Sequence, residues 1–250
     1  MSAEQSVIVC EGYHDRAFFA GWLKYKGCRA IDWKKEKDPF GSKVDGGHYG
    51  FMSPVGSFIR VVPAHGDLTK LVQTTEFYLR NAPTKPTRAI VVATDADDHA
   101  IDARRDNVFQ ALDRLVTHLA LADCERVDDD LRAGPTLLRP LVWPGQPVAG
   151  GPGIPSAATL EQLVCAVLAR HEPHRTTCVH TFLATAGDGA GWKRPADIGK
   201  SHAWAWMAHR RPIDECERFF EAPWEDATLA AELEAAMGAS TVRLIDELLT

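Results

Sequence analysis

Two acidic segments, each placed directly after a run of apolar residues, contain the side chains best suited to hold a metal ion. Glu11 and Asp15 follow the run VIVC, and Asp95 and Asp97 follow the run AIVVAT. Carboxylate oxygens are the ligands that hard divalent cations such as Mg²⁺ and Mn²⁺ prefer in proteins. Four carboxylates brought together without a cation would repel one another strongly. A divalent-metal site would therefore explain why they converge.

The residues around both segments predict a sheet that brings them together. Val7–Cys10 and Arg88–Ala93 are short apolar runs, as is typical of strands buried in a parallel sheet. Each precedes an amphipathic helix, over Asp15–Lys26 and Arg104–Leu121. Alternating strands and helices indicate an α/β fold, with a mainly parallel sheet flanked by helices. Because ligands bind beyond the carboxyl ends of strands in such sheets, both acidic segments are expected at one edge.

The rest of the chain is expected to complete the sheet and to end in a helical part. Pro140, in the last predicted strand, predicts that this strand lies at a sheet edge. From Thr159 onward the pattern is mostly helical. We therefore divide the chain into an α/β core over 1–150 and a helical C-terminal extension over 151–250 that completes the site. The other predicted elements are strands over Cys28–Trp33, Phe58–Val62 and Leu137–Trp143, a long loop over Lys34–Gly56 and a helix over Leu68–Leu79.

The two segments resemble the motifs of the Toprim family, a metal-binding domain shared by type IA and type II topoisomerases, bacterial primases and several nucleases. The matches are VIVCEGYHD, residues 7–15, and AIVVATDAD, residues 89–97. The resemblance covers roughly residues 5–145 and implies a Rossmann-like Toprim core. It also implies that Glu11, Asp95 and Asp97 hold Mg²⁺ or Mn²⁺, with Glu11 doing general acid/base work as well.

Within this family the chain is most similar to the nuclease branch found in overcoming-lysogenization-defect proteins and in small standalone Toprim proteins. That branch has an acid four residues after the glutamate, matched here by Asp15. It also has a Ser/Thr-x-Glu step, for which Thr159 and Glu161 are the candidates, and a downstream lysine, matched by Lys200. The resemblance implies a two-metal site in which Lys200 offsets charge on the phosphate.

Some of these assignments have ordinary structural alternatives. A threonine followed by a glutamate, as at Thr159 and Glu161, is also common at the start of a helix. Asp98 is a further acid in the same turn, so either Asp97 or Asp98 could be the ligand. The chain has no strand-passage domain and lacks the zinc-binding and helicase-binding modules of bacterial primases. Topoisomerase activity is therefore not expected.

The charge of the chain gives only weak support for a nucleic-acid partner. The net charge is −6, whereas affinity for nucleic acid comes largely from Lys and Arg. Two local basic segments are nevertheless candidates for phosphate contact, one at Lys34 and Lys35 and one at Arg210 and Arg211. Each is equally typical of a solvated surface.

Three other features have bland interpretations that we favour. The group His171, His174, Cys178 and His180 does not match the spacing of a structural zinc site. Trp192, Trp204 and Trp206 could stack on bases, although a position in the helix core is the better prediction. The six cysteines include no CxxC pair and are expected to be reduced thiols.

These observations favour a metal-dependent endonuclease that cuts DNA or RNA. By family resemblance, an ATPase partner and a role in bacterial anti-phage defence are expected. The alternative is a non-catalytic Toprim-like module that binds metal and a nucleic acid or protein partner. A phosphohydrolase or nucleotidyl transferase would use the same metals. Without an apolar run of about 20 residues or a signal-like N-terminus, we expect a cytoplasmic protein with no membrane partner. The oligomeric state is left open, a homo-oligomer included.

Overall fold

Four parallel strands in the middle of the sheet contain both of the apolar runs. A computed structural model describes residues 4–44, 47–121, 123–146, 159–185, 200–201, 203–206 and 216–250. The four strands are β1 (Gln5–Cys10), β4 (Phe58–Pro63), β5 (Thr87–Asp95) and β8 (Thr136–Trp143). β1 pairs with β4 on one side and with β5 on the other, and β5 also pairs with β8. The predicted strands at both acidic segments are therefore confirmed.

Short antiparallel strands extend the sheet on both sides. They are β2 (Arg29–Ala30), β3 (Tyr49–Met52), β6 (Cys124–Val127) and β7 (Asp130–Ala133), and the strand order is β2-β3-β4-β1-β5-β8-β7-β6. The strand predicted over Cys28–Trp33 shortens to β2, and β3 lies inside the predicted loop. The hairpin of β6 and β7 was not predicted, because β6 is exposed and has no apolar pattern.

Pro140 lies in β8, which has β5 on one side and β7 on the other. The prediction that this strand forms a sheet edge was therefore wrong. β7 pairs only with residues 136–138 of β8 and ends before Pro140. The carbonyl of Trp143 accepts a hydrogen bond from the Ala96 N–H, on the β5 side, at 3.1 Å. The backbone N–H and C=O groups alternate in direction along a strand, so those of Trp143 and Pro140 point to opposite sides. The backbone of Pro140 therefore faces the β7 side, at a position where β7 does not pair with β8. Its missing N–H therefore breaks no bond of the sheet.

Helices cover both faces of the sheet and enclose two apolar cores. α2 (Leu68–Asn81) and α3 (Ile101–His118) pack on the face that contains Val7 and Val9. α1 (Tyr13–Tyr25), α4 (Leu160–His171) and the C-terminal helices pack on the face of Ile8 and Cys10. Residues 200–201 and 203–206 are also helical. The other helices are α5 (Pro173–Thr185), α6 (Cys216–Glu221), a 3₁₀ turn over Ala222–Glu225, α7 (Ala227–Met237) and α8 (Ala239–Leu249).

The predicted helical C-terminal part is present, and it packs directly on α1. The rings of Trp22 and Trp224 stack at 5.4 Å, and Trp22 donates a hydrogen bond to Glu234 at 2.8 Å. A side chain at Gly21 would overlap the Trp224 ring, so glycine allows this close approach. The helix that carries the first acidic segment is thus held by the C-terminal residues. The predicted domain boundary near residue 150 lies outside the described residues. No helix in the described part of the chain is long and apolar enough to cross a membrane.

Candidate metal centre

The carboxyl ends of β1 and β5 bring the two acidic segments into direct contact. Glu11, one residue beyond β1, accepts hydrogen bonds through Oε1 from the Thr94 hydroxyl and from the Asp95 backbone N–H, the latter at 3.2 Å. Asp97 follows in a turn with a left-handed backbone, φ +52°. Since β1 and β5 are adjacent and parallel, this meeting is a direct consequence of the strand order.

Asp15 is a buried carboxylate with a raised pKa. It lies in the first turn of α1, accepts from the Gly12 backbone N–H at 3.2 Å and accepts from the Trp143 indole N–H at 3.0 Å. Burial raises the pKa of Asp15 to about 7, and the neighbouring charges of Glu11 and Glu161 add to the rise. In the absence of a cation, this group is therefore poised between its neutral and charged forms near neutral pH.

Lys200 bridges the side chains of the two aspartates in the second acidic segment. Its Nζ is 3.3 Å from Asp95 Oδ2 and 3.4 Å from Asp97 Oδ1. The other oxygen of Asp95 accepts from the Leu160 backbone N–H at 2.8 Å, in the first turn of α4. Burial, and then the charges of Glu161, Asp15 and Glu11, raise the pKa of Asp95 well above its usual value. Burial alone would lower the pKa of Lys200, but the surrounding carboxylates raise it, so the ammonium stays charged.

Glu161 faces the same cluster from the first turn of α4. Its Oε1 lies 3.3 Å from His14 Nδ1, and its Oε2 is buried without a hydrogen-bond partner among the described residues. Burial raises the pKa of Glu161, but the hydrogen bond from His14 and the charge of Lys200 outweigh it and hold the pKa below its usual value. Thr159 caps α4 by accepting from the Gln162 N–H at 3.4 Å. The helix-start interpretation and the site interpretation therefore both hold, because Thr159 caps α4 and Glu161 lies at the cluster.

Three further residues position the cluster and had been given no role from the sequence. Arg104 donates to the Asp95 carbonyl at 3.1 Å and to Thr94 Oγ1 at 2.9 Å, and it lies 3.8 Å from Glu11 Oε1. Trp143 holds Asp15, and His14 holds Glu161. His14 lies within the first motif, so its position in the sequence could have indicated a role at the site. No local pattern distinguishes Arg104 or Trp143 from ordinary helix and strand residues.

The donor set fits a hard divalent cation, although no ligand shell is ready-made. Five carboxylates converge, and Glu161 Oε2 is buried without a hydrogen-bond partner in the described part of the chain. Oxygen donors of this charge suit Mg²⁺ or Mn²⁺. Within the described residues, however, no three His, Cys, Asp or Glu side chains stand in an arrangement that would hold an ion. Binding would therefore need side-chain movement, including departure of Lys200 from the aspartates that it bridges.

Two of the basic residues proposed for nucleic-acid contact, Lys34 and Lys35, lie beside an outer strand of the sheet. Lys34 and Lys35 follow β2, which β3 and β4 separate from β1 in the sheet. Lys35 is 82% exposed and pairs with Asp32 at 3.2 Å, and Lys34 lies over the ring of Trp33 at 5.3 Å. Two strands therefore separate the strand before these lysines from β1. Arg210 and Arg211 lie outside the described residues.

The histidine and cysteine group and the tryptophans are found in the following surroundings. His171 bonds to Glu232 at 2.9 Å, and His174 Nδ1 lies 3.7 Å from Cys178 Sγ. Trp206 is buried, as predicted for a core residue. Trp204 is 48% exposed, so the prediction of a core position was wrong for this residue. Trp192 lies outside the described residues.

Comparison with known proteins supports the fold and adds nothing about activity. No protein-family model matches the chain, and no curated protein matches it. The crystal structure of a hypothetical protein from Pyrococcus horikoshii OT3 is similar, with a TM-score of 0.53 and 14% sequence identity. The match covers 94% of this chain and 100% of the other. The α/β architecture with a mixed sheet and a helical C-terminal part is therefore shared with a solved structure.

Replacing Lys200 with methionine is expected to destabilise the metal-free protein at pH 8 by about 1–2 kcal/mol. The neighbouring carboxylates lose their nearest cation, and partial exposure of the lysine limits the effect. Saturating Mn²⁺ should reverse most of the loss, because the ion supplies the missing positive charge. Thermal denaturation in chelator and in Mn²⁺ measures both quantities. Lys70→Met, at an exposed position on α2, is the matched control. An equal loss in both conditions would point to disturbed packing and contradict the charge argument.

Proposed function

We propose that the protein is a Mg²⁺- or Mn²⁺-dependent nuclease of the Toprim type that hydrolyses phosphodiester bonds in DNA or RNA. The observation that carries this proposal is the convergence of five carboxylates from separate parts of the chain at the carboxyl edge of parallel strands. They lie around one charged lysine, and one of their oxygens, Glu161 Oε2, is buried with no hydrogen-bond partner among the described residues. The five residues are Glu11, Asp15, Asp95, Asp97 and Glu161.

The chain's own groups suit the work of phosphodiester hydrolysis. A bound Mg²⁺ or Mn²⁺ would supply Lewis-acid stabilisation of the phosphate and lower the pKa of water. Thr94 and the Asp95 N–H fix Oε1 of Glu11, which leaves Oε2 to accept a proton from the attacking water. Lys200 keeps its charge, and 35% of its side chain is accessible, so on leaving Asp95 and Asp97 it would reach a phosphate oxygen and offset developing negative charge.

The positioning residues support a two-ion arrangement without defining it. His14 lies 3.3 Å from Glu161 Oε1, and the Trp143 indole N–H donates to Asp15, so each carboxylate is held in place at the cluster. Buried carboxylates with raised pKa values, such as Asp15 and Asp95, favour a nearby divalent cation. The Toprim assignment itself rests on the motifs at 7–15 and 89–97. An ATPase partner and a role in defence rest on the family resemblance alone.

The alternative function is a binding module without catalysis. One observation favours it. Lys200 already bridges Asp95 and Asp97, and no ready-made ligand shell exists among the described side chains. A site that is satisfied by an internal lysine could bind a metal or a partner only to assemble a complex. The two proposals differ in whether bound metal leads to hydrolysis.

A cleavage assay with matched metal-binding measurements tests both proposals. Labelled single-stranded and duplex DNA and RNA are incubated with the purified protein and Mn²⁺, Mg²⁺ or chelator. We expect cleavage with Mn²⁺ or Mg²⁺ and none in chelator, together with Mn²⁺ binding by calorimetry. Binding of Mn²⁺ without cleavage of any substrate would favour the module. Absence of both would reject the metal centre altogether.

A further inference from the structure

Trp204 is an exposed aromatic residue at the border of the carboxylate cluster. It is 48% exposed, although Ala203 and Trp206 in the same helical segment are buried. Its ring meets the His14 ring edge-on, with centroids 5.7 Å apart. His14 in turn contacts Glu161 at 3.3 Å. One imidazole ring therefore separates this exposed indole from a carboxylate of the proposed active site.

Tyr13, within the first acidic segment, provides a second exposed ring. It opens α1, is 46% exposed and meets the exposed His65 edge-on, with centroids 4.5 Å apart. Gly12, between Glu11 and Tyr13, has open space where a side chain would stand. The space beside the Gly12 backbone is therefore open in the described chain.

Among the described residues, the cations beside the cluster are engaged by protein groups, so no phosphate contact is ready-made there. Lys200 bridges two aspartates, and Arg104 is held by Thr94 and the Asp95 carbonyl. Arg16 pairs with Glu217 at 2.5 Å, and its guanidinium lies against the ring of Tyr13 at 4.5 Å. With a net charge of −6, the protein is poorly suited to bind a duplex through phosphates alone.

We propose that Trp204 and Tyr13 are stacking sites for unpaired bases, so that the substrate strand reaches the carboxylates as single-stranded nucleic acid. The inference rests on the proposed function and names its substrate class. Stacking of a base on an aromatic ring contributes about 1–3 kcal/mol and does not depend on phosphate neutralisation. Bases within a duplex are covered by their neighbours and cannot use these rings. Acidic surroundings and exposed aromatic rings therefore both favour a single strand.

Binding of oligonucleotides to the full chain, with Ca²⁺ in place of Mn²⁺ to prevent cleavage, tests the inference. Fluorescence anisotropy compares strands of about 20 nucleotides, as DNA and as RNA, with the corresponding duplexes. We expect single strands to bind at least about tenfold more tightly than duplexes. Trp204→Leu should weaken single-strand binding about tenfold, as expected for the loss of one stacked base, and should leave duplex affinity unchanged within about twofold. Trp204→Phe should retain part of the affinity.

Control variants are available at two other exposed rings of the same residue types. Trp33 is 50% exposed and lies after β2, and Tyr25 is 39% exposed at the opposite end of α1 from Tyr13. Trp33→Leu should leave binding unchanged, and Tyr13→Leu should weaken it more than Tyr25→Leu does. Equal effects of Trp204→Leu and Trp33→Leu, or equal affinity for duplex and single strand, would overturn the inference. The DNA and RNA arms identify which strand is preferred.

The failure of this inference can be told apart from the failure of the proposed nuclease. Stacking that depends on Trp204, without any cleavage in Mn²⁺, would reject the nuclease and keep the single-strand site. Cleavage in Mn²⁺ with no effect of Trp204→Leu on strand preference would do the reverse. In the supporting case, Trp204→Leu raises KM for single strands and changes kcat much less, because the ring binds substrate and takes no part in the chemistry.

Discussion

Glu11→Gln is expected to reduce Mn²⁺-dependent cleavage about 10³- to 10⁴-fold while leaving the fold intact. Loss of a general base alone removes about 10²- to 10⁴-fold of the rate, and the glutamate is also a proposed metal ligand. The glutamine oxygen can still accept the hydrogen bonds from Thr94 and the Asp95 N–H. Burial raises the pKa of Glu11, and the charge of Asp97 adds to this effect. Removal of one charge should therefore leave the metal-free Tm unchanged or slightly higher.

The measurement combines cleavage rate, Mn²⁺ affinity and Tm in chelator. Asp106→Asn is the control, since it removes an exposed charge from α3 without touching the cluster. We expect that variant to cleave like the wild type. Cleavage by Glu11→Gln within about tenfold of the wild type would contradict the assigned role. Loss of activity accompanied by a large fall in Tm would show that the residue is structural.

The metal-free protein is expected to lose stability as the pH rises from about 5.5 to 8. The pKa of Asp15 is raised from 3.8 to about 7 in the folded chain, mainly by burial. A carboxyl group whose pKa is raised by folding stabilises the folded state fully below its unfolded pKa, and this stabilisation is lost as the pH rises from the unfolded to the folded pKa. Asp95 acts in the same direction. We expect a loss of about 3 kcal/mol, or roughly 5–10 °C in Tm.

Other shifted groups at the cluster do not cancel this trend in the same pH range. The pKa of Glu161 is lowered, so its contribution to folding stability changes with pH below 5.5. The pKa of Lys200 is raised, so its contribution changes above that range. Thermal denaturation in chelator from pH 5.5 to 8 gives the slope, and Asp15→Asn should flatten it. Mn²⁺ should stabilise the protein more at pH 8 than at pH 5.5. A metal-free Tm that stays constant or rises over this range would contradict the argument.

Local patterns in the sequence predict the central elements well. Apolar runs and amphipathic periods depend on neighbouring residues, and they locate β1, β5, α1 and α3 within a few residues of their observed ends. Short strands such as β2 and β6 have too few residues for a pattern to emerge. Pro140 was placed at an edge because strand order depends on pairing between distant segments. In the structure β7 ends before Pro140, so an inner strand tolerates the missing N–H.

The candidate site divides in the same way between local and distant information. Glu11 and Asp95 could be placed together because parallel strands end at one edge of a sheet, so adjacent strands bring their following residues into contact. Asp15, Glu161 and Lys200 had been selected by motif resemblance, and the fold brings all three to the same cluster. The basic residues Lys34 and Lys35 had been selected by charge alone, and the sheet order separates them from it.

The sequence by itself determined which carboxylates follow the central strands, because a strand and the acid after it are consecutive residues. The tertiary structure alone decided how each carboxylate is held. Trp143 lies 128 positions from Asp15 and His14 lies 147 positions from Glu161, so no local pattern relates them. It also decided that Trp204 is exposed while Trp206 is buried, since exposure depends on what packs against each face. The charges of the site follow from composition, whereas their pKa values follow from burial and proximity, which only the folded chain provides.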